Sequence, residues 1–197
     1  MKNLKSAIIL YVILTALTGI AYPLFVTGIS QAAFPEKANG CLVYSDGEIR
    51  GSFLIGQTFT DPAYFWSRPS VSSYDTLPSA ASNQGPTSAA LKQAVDARKK
   101  DLAHSISGEI PADLLMASGS GLDPHISPEA AYAQIDHVAH ARNLSPEQVL
   151  NLEDLVRQLI EKPQWGIFGA SRVNVLKLNL AVDHMFGAPR SEGADKS

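Results

Sequence analysis

Cysteine is nearly missing from this chain. Cys41 stands alone, so neither an intramolecular disulfide nor a cysteine-based zinc site is open to it, and stability has to come from packing. The common catalytic signatures are missing too: no G-x-x-x-x-G-K-S/T, no G-x-S-x-G and no H-E-x-x-H occurs. P-loop nucleotide hydrolysis, nucleophile-elbow acyl transfer and zincin chemistry therefore lack a sequence basis. Positive charge is also scarce. The 16 Lys and Arg are outnumbered by 19 Asp and Glu, for a net charge of −3. Nucleic-acid phosphates need a basic face, so no nucleic-acid partner is expected.

Apolar length, by contrast, is plentiful at the N-terminus. No charged residue occurs from Ser6 to Phe34, and residues 7–27 suffice for a membrane-crossing helix, which takes ~20 apolar residues. A cleaved secretory signal is the competing reading, with Ser30-Gln31-Ala32 as a small-residue site, but signal cores run to only roughly 7–15 residues. The run is too long for that, which favours an uncleaved anchor. Pro23 lies late in it and predicts a kink, a feature that membrane helices tolerate beside neighbours. Lys2 and Lys5 precede the span, and Glu36 with Lys37 follow it, so the positive-inside rule keeps the N-terminus in the cytoplasm. In a bacterium the remainder then faces the periplasm, anchored in the inner membrane.

Beyond the anchor, ~150 residues make one domain of ordinary size. Without Lys2 and Lys5 the balance is 14 basic against 19 acidic residues, or −5. Ala38-Asn-Gly-Cys41 lacks the apolar residue of a lipidation site, leaving Cys41 a free thiol near a strand. Asp46-Gly47 between short apolar runs predicts a hairpin, and a third strand is expected at 53–55. Residues 56–86 are rich in Gly, Pro, Ser and aromatics, and a loop of this length is usually functional or an interface. Leu91, Val95, Arg98 and Leu102 recur at helical spacing within 88–103. Ser127-Pro-Glu129 and Ser145-Pro-Glu147 start two more helices, with Ser as cap, Pro at the first position and Glu at the positive end of the dipole; Gln148 completes a capping box. The first should run to about Arg142 and bury Tyr132, Ile135, Val138 and Ala139. The second should run to about Lys162 and bury Val149, Leu152, Val156, Leu159 and Ile160. Residues 172–176 read as a strand, followed by a short helix to Met185. The fold class is therefore α/β (α+β): a single extramembrane domain with a small sheet and three to four helices, preceded by one transmembrane helix. The divisions are 1–6 as a cytoplasmic N-terminus, 7–27 as the span, 28–188 as the domain and 189–197 as a disordered tail.

Candidate chemistry is sparse. His137 and His140, with Asp136, have spacing that can begin a metal site, but on a helix they fall mostly on its polar face and read as solvated surface. Asp123 and His125 flank Pro124, where Asp before Pro signals a turn. The stretch Ala117-Ser-Gly-Ser-Gly-Leu-Asp-Pro-His-Ile-Ser-Pro128 leads into a capped helix. Its successive N–H groups suit a phosphate, and equally a tight structural loop.

Several of these segments, taken together and in order, go beyond generic physics. They are the N-terminal span, Gly51-Ser-Phe-Leu-Ile-Gly-Gln57, Tyr64-Phe-Trp-Ser-Arg-Pro-Ser70, Ser82-Asn-Gln-Gly-Pro-Thr87, the stretch from Ala117 to Pro128, and Arg172-Val-Asn-Val-Leu-Lys-Leu-Asn-Leu180. In them the chain resembles the C subunits of bacterial Kdp-type potassium-transporting ATPases over nearly its whole length. Met116 and His137 stand where relatives are expected to carry Thr and Arg, and Gln84 replaces a Leu. The resemblance implies a non-catalytic accessory subunit of an inner-membrane, ATP-driven potassium importer. Its partners would be a channel-like potassium-binding subunit, a P-type ATPase subunit and a very small membrane subunit, which handle potassium, magnesium and ATP hydrolysis. It also implies a catalytic-chaperone role, in which the subunit raises the pump's ATP affinity through Ser118, Gly119, Ser120, Gly121 and Gln134. A periplasmic domain cannot reach cytoplasmic ATP, so the alternative expectation is an extracytoplasmic cap or gate on the channel-like subunit. A stand-alone anchored enzyme or periplasmic binding protein is the rival class and would require a deep pocket with convergent polar groups.

Overall fold

The computed structural model describes residues 2–45 and 47–189, and the chain divides into two compact units between Ser52 and Phe53. The first unit opens on a continuous helix with three parts: α1 (Lys2–Ala16), a π-helical turn (Leu17–Ala21) and α2 (Tyr22–Ala33). Asn3–Ala33 is long and apolar enough to cross a membrane. The π turn answers to Pro23, whose ring would strike the carbonyl of Gly19 and which has no N–H to offer it. One wider turn, in which the N–H of Tyr22 bonds the carbonyl of Leu17 five residues back, makes the room. Within it, Thr18 Oγ1 donates back to the Leu14 carbonyl at 2.8 Å.

After the short helix α3 (Pro35–Ala38), strands β1 (Leu42–Ser45) and β2 (Glu48–Ser52) form the expected antiparallel hairpin, with a register shift between Val43 and Tyr44. Asp46 lies outside the described residues; Gly47 has φ +82°, in the left-handed region that such a turn uses. The third strand expected at 53–55 does not form. The Phe53 carbonyl instead accepts from Asn174 Nδ2 at 2.8 Å, and the N–H of Gly56 donates to the Leu122 carbonyl at 2.8 Å. Backbone groups that a ladder would need are thus taken by the second unit.

The second unit contains α4 (Ala89–Leu102), α5 (Ala112–Leu115), β3 (His125–Ile126), α6 (Pro128–Tyr132), α7 (Ile135–Ala141), α8 (Pro146–Gln158), β4 (Val173–Asn174) and α9 (Val175–Phe186). Strands β3 and β4 pair antiparallel, so the described residues hold two separate two-stranded sheets and the fold is α+β after a single long helix. Helix α8 packs against α6, α7 and α9 around a core that includes Phe65, Ile126, Val138, Leu152, Val156, Leu178 and Val182.

Local signals hold at the helix starts. Ser88, Ser127 and Ser145 each accept a backbone N–H at the head of α4, α6 and α8, and Ser145 with Gln148 forms the full capping box. The half-buried stripe of α4 runs through Leu91, Val95, Arg98 and Leu102 as its spacing predicts. Three other expectations are corrected. The helix from Ser127 is broken at Ala133–Gln134, and Tyr132 is exposed while Ile135, Val138 and Ala139 are buried. Helix α8 stops at Gln158 and buries Leu155 beside Leu152 and Val156, leaving Val149, Leu159 and Ile160 half-buried. The strand expected to reach Leu176 ends at Asn174, whose side chain accepts the N–H of Lys177 at 3.0 Å and starts α9 at once. Of the tail expected at 189–197, residues 190–197 lie outside the described residues.

At Gly56 a Cβ would stand 2.6 Å from the carbonyl oxygen of Asp123. Both sides of that contact are backbone, so nothing flexible can yield. Gly56→Ala should destabilise the second unit by about 2–3 kcal/mol, read as a lowered unfolding midpoint of the full chain in detergent; an unchanged midpoint would refute the close approach.

Candidate functional site

An irregular segment, residues 53–87, runs into the helical unit without joining a sheet, so its buried backbone must find partners elsewhere. Two side-chain amides supply them. Asn179 of α9 accepts the N–H of Phe65 at 2.8 Å and donates to its carbonyl at 3.0 Å. Gln134, in the break between α6 and α7, accepts the N–H of Trp66 at 2.7 Å and donates to its carbonyl at 3.3 Å. Gln134 Nε2 also donates to the Ala130 carbonyl at 3.0 Å, the acceptor its own backbone N–H would use in an unbroken helix; that N–H turns to Ala131 instead. Both amides are buried. The helix break is thus the local cost of aiming an amide at Trp66.

The neighbours of this clamp extend it. His137 lies stacked on Trp66, ring centroids 4.2 Å apart, with Nε2 3.3 Å from the Tyr64 carbonyl. Its Nδ1 is buried with no partner among the described residues, and burial pushes its pKa below the ordinary 6.5. Arg142 donates to the carbonyls of Ala63 at 2.7 Å and Gly187 at 2.8 Å, and to Asp183 at 2.6 Å. Asp183 in turn accepts from the Tyr64 hydroxyl at 2.9 Å. Burial first, and then the carboxylate, push that phenol up to about 12. Asp61, Asn143 and Phe186 join Arg142 around an open cleft of about 900 Å³, but all three guanidinium nitrogens already donate to Ala63, Gly187 and Asp183.

At the other end of the segment lies the small-residue loop. The N–H of Ser118 bonds the Pro69 carbonyl at 3.0 Å, and Ser70 Oγ donates to the Gly121 carbonyl at 2.7 Å. Gly121 has φ +71°, and a Cβ there would lie 2.7 Å from Ser72 Oγ and 2.9 Å from the Ala80 carbonyl oxygen. Asp123 then pairs with Arg68 at 3.0 Å and caps the N–H of His125 at 3.0 Å, the turn that Asp before Pro suggested. Burial raises the Asp123 carboxyl, but the bonds from His125 and the Arg68 guanidinium outweigh it and hold the group below its ordinary 3.8. Among the described residues no three His, Cys, Asp or Glu side chains gather as a metal set.

Comparison with known proteins places this arrangement. The family model described as KdpC, K+-transporting ATPase, c chain, matches residues 4–184. A potassium-transporting ATPase KdpC subunit of Dechloromonas aromatica (strain RCB) is 52% identical over 186 residues, 91% of this chain and 96% of its own. Namesakes from Methylococcus capsulatus, 48% identical over 92% of this chain and 97% of theirs, and Serratia proteamaculans, 47% over 93% and 98%, match similarly. The chain belongs to the KdpC family.

In this KdpC-family chain the five residues singled out for nucleotide fall into two groups joined by the Trp66–Ser70 stretch. Ser118 and Gly121 are buried against residues 69–80, Gly119 and Ser120 are exposed, and Gln134 is wholly inside. His137 corrects the surface reading: it is 8% exposed, because its face of α7 meets the Tyr64–Trp66 backbone, while Asp136 and His140 remain in solvent. Asn179, Arg142 and Asp183 were not singled out from the sequence. A signal for Asn179 existed, since it is the polar interruption among Leu176, Leu178 and Val182 on one face of α9.

Gln134→Met keeps the volume but strips the Trp66 N–H and carbonyl of their partners; a loss of about 2–4 kcal/mol in urea unfolding is expected, and a loss near zero would remove the amide clamp from the account. The depressed His137 pKa means that the unfolded chain takes up a proton first. Stability should therefore hold above pH 6.5 and fall as pH drops below it. His137→Phe, which keeps the stack without titrating, should flatten the thermal midpoint between pH 7 and 5; an equal slope in both proteins would exclude His137 as the cause.

Proposed function

We propose that this chain is a non-catalytic accessory subunit of an ATP-driven potassium importer, held in the bacterial inner membrane by α1–α2, with its second unit docked on the extracytoplasmic side of its partners. The observation that carries the reading is the match to a potassium-transporting ATPase subunit family across residues 4–184, helix and folded unit alike. Its partners are then the channel-like potassium-binding subunit, the P-type ATPase subunit and the very small membrane subunit. Potassium, magnesium and ATP hydrolysis belong to those subunits. Lys2 and Lys5 ahead of the span support a cytoplasmic N-terminus.

A cap or gate on the channel-like subunit suits this chain better than direct contact with ATP. The catalytic-chaperone alternative uses Gln134, and the amide of Gln134 is committed to Trp66 and Ala130. Only Gly119 and Ser120 of the proposed nucleotide set are exposed, and neither carries charge.

Cys41 provides the test, being the single thiol and half-exposed just beyond the span. A membrane-impermeant maleimide should label it in intact cells; labelling only after lysis would move the domain to the cytoplasm and revive the nucleotide reading. Affinity capture of this chain should bring down a potassium-stimulated ATPase, and capture of the chain alone under mild detergent would return it to the class of stand-alone anchored proteins.

A further inference from the structure

Three large apolar side chains stand uncovered together in the second unit, at the turn between α8 and β4: Trp165 at 87%, Ile167 at 77% and Phe168 at 61% exposure. The turn is built rather than loose. Glu161 and Arg172 exchange backbone hydrogen bonds at its base, Gln164 and Phe168 do so nearer the tip, and Trp165 packs edge-on to Phe168 with ring centroids 6.0 Å apart. Pro163 has no N–H, and those of Gln164, Gly166, Ile167 and Phe168 are all bonded within the turn. That pairing lowers the cost of moving the tip from water to the hydrated headgroup level, where the remaining backbone groups of the run can still bond water.

Charge is arranged to match. No charged residue occurs from Pro163 to Ser171, while Lys162 and Arg172 bracket the run. Lys177 lies 3.8 Å and Arg172 3.1 Å from Glu161, so two cations share one carboxylate at the base of an apolar tip that Lys162 also flanks, in a chain that is acidic as a whole. The chain also supplies the surface. Between Ala33, where the membrane-length helix ends, and Phe53, where this unit begins, the backbone can extend no more than about 70 Å. A bilayer is therefore always within reach and at high effective concentration.

We propose that Pro163–Ser171 is a second membrane contact, a finger that seats Trp165, Ile167 and Phe168 at the headgroup and upper acyl level of an anionic bilayer, with Lys162 and Arg172 on the lipid phosphates. Trp suits that depth because its indole has a large apolar body and one N–H for the wet side. The inference rests on the anchored reading of the N-terminal helix and goes beyond it, since that reading requires no lipid contact from the folded unit.

The test uses the full chain reconstituted in vesicles of phosphatidylethanolamine and phosphatidylglycerol with acyl chains brominated at shallow or deep positions. Trp66→Phe leaves Trp165 as the only indole, and subtracting the signal of Trp165→Phe from the unmodified chain gives the same information should the first variant not fold. Trp165 emission should be blue-shifted, shielded from iodide and quenched more by shallow than by deep bromine. Lys162→Gln with Arg172→Gln, or vesicles of phosphatidylcholine alone, should cut that quenching roughly by half. Water-like emission with full iodide access in a chain that resists alkaline extraction would overturn the finger while leaving the anchor intact; extraction of the chain would overturn the anchor and the finger with it. Shielding that arises only when the partner subunits are co-reconstituted, without bromine quenching, would assign the tip to a protein pocket and also overturn the proposal.

Discussion

The second unit depends on two buried side-chain amides. Gln134 and Asn179 act as a substitute strand for Phe65 and Trp66, meeting the N–H and carbonyl of two successive residues that no ladder serves. A buried backbone group without a partner costs about 1–3 kcal/mol, so four such groups on one short stretch would leave it in solvent. With the amides in place, Phe65 can enter the core completely. The rest of the irregular segment is then placed: Ala63 and Tyr64 against Arg142 and Asp183, and Pro69 and Ser70 against the small-residue loop.

This arrangement gives the sequence motifs a common physical explanation. Tyr64–Ser70, Ser118–Gly121 and the region around Asn179 are distant in the chain but form a continuous series of contacts, and glycine at 121 is required by both its φ of +71° and the oxygen atoms where a Cβ would go. The site is a structural junction whose amides and guanidinium turn inward onto backbone partners. Its chemistry suits a rigid subunit that presents shaped surfaces to other proteins, and it leaves the exposed segments, notably the turn at Trp165, to make outside contacts.

Much of the organisation was legible because it is encoded locally. The uncharged run, the three serine caps, the Asp46-Gly47 hairpin and the α4 stripe each depend on neighbours within a few residues, so spacing alone reveals them. Most of the failures share a cause. The break at Ala133–Gln134, the missing strand at 53–55 and the burial of His137 arise where a side chain or carbonyl bonds a partner far along the chain, whereas the early start of α9 is a local cap by Asn174.

The sequence by itself determined the membrane-length apolar helix, the serine-capped helix starts and the family, since apolar length, capping chemistry and ordered motifs need no knowledge of what lies across the core. Tertiary structure alone decided the roles of Gln134, Asn179 and Arg142. Their partners lie 68, 114 and 79 residues away, and a polar residue on a helix carries no local sign of whether it will meet water or a distant backbone.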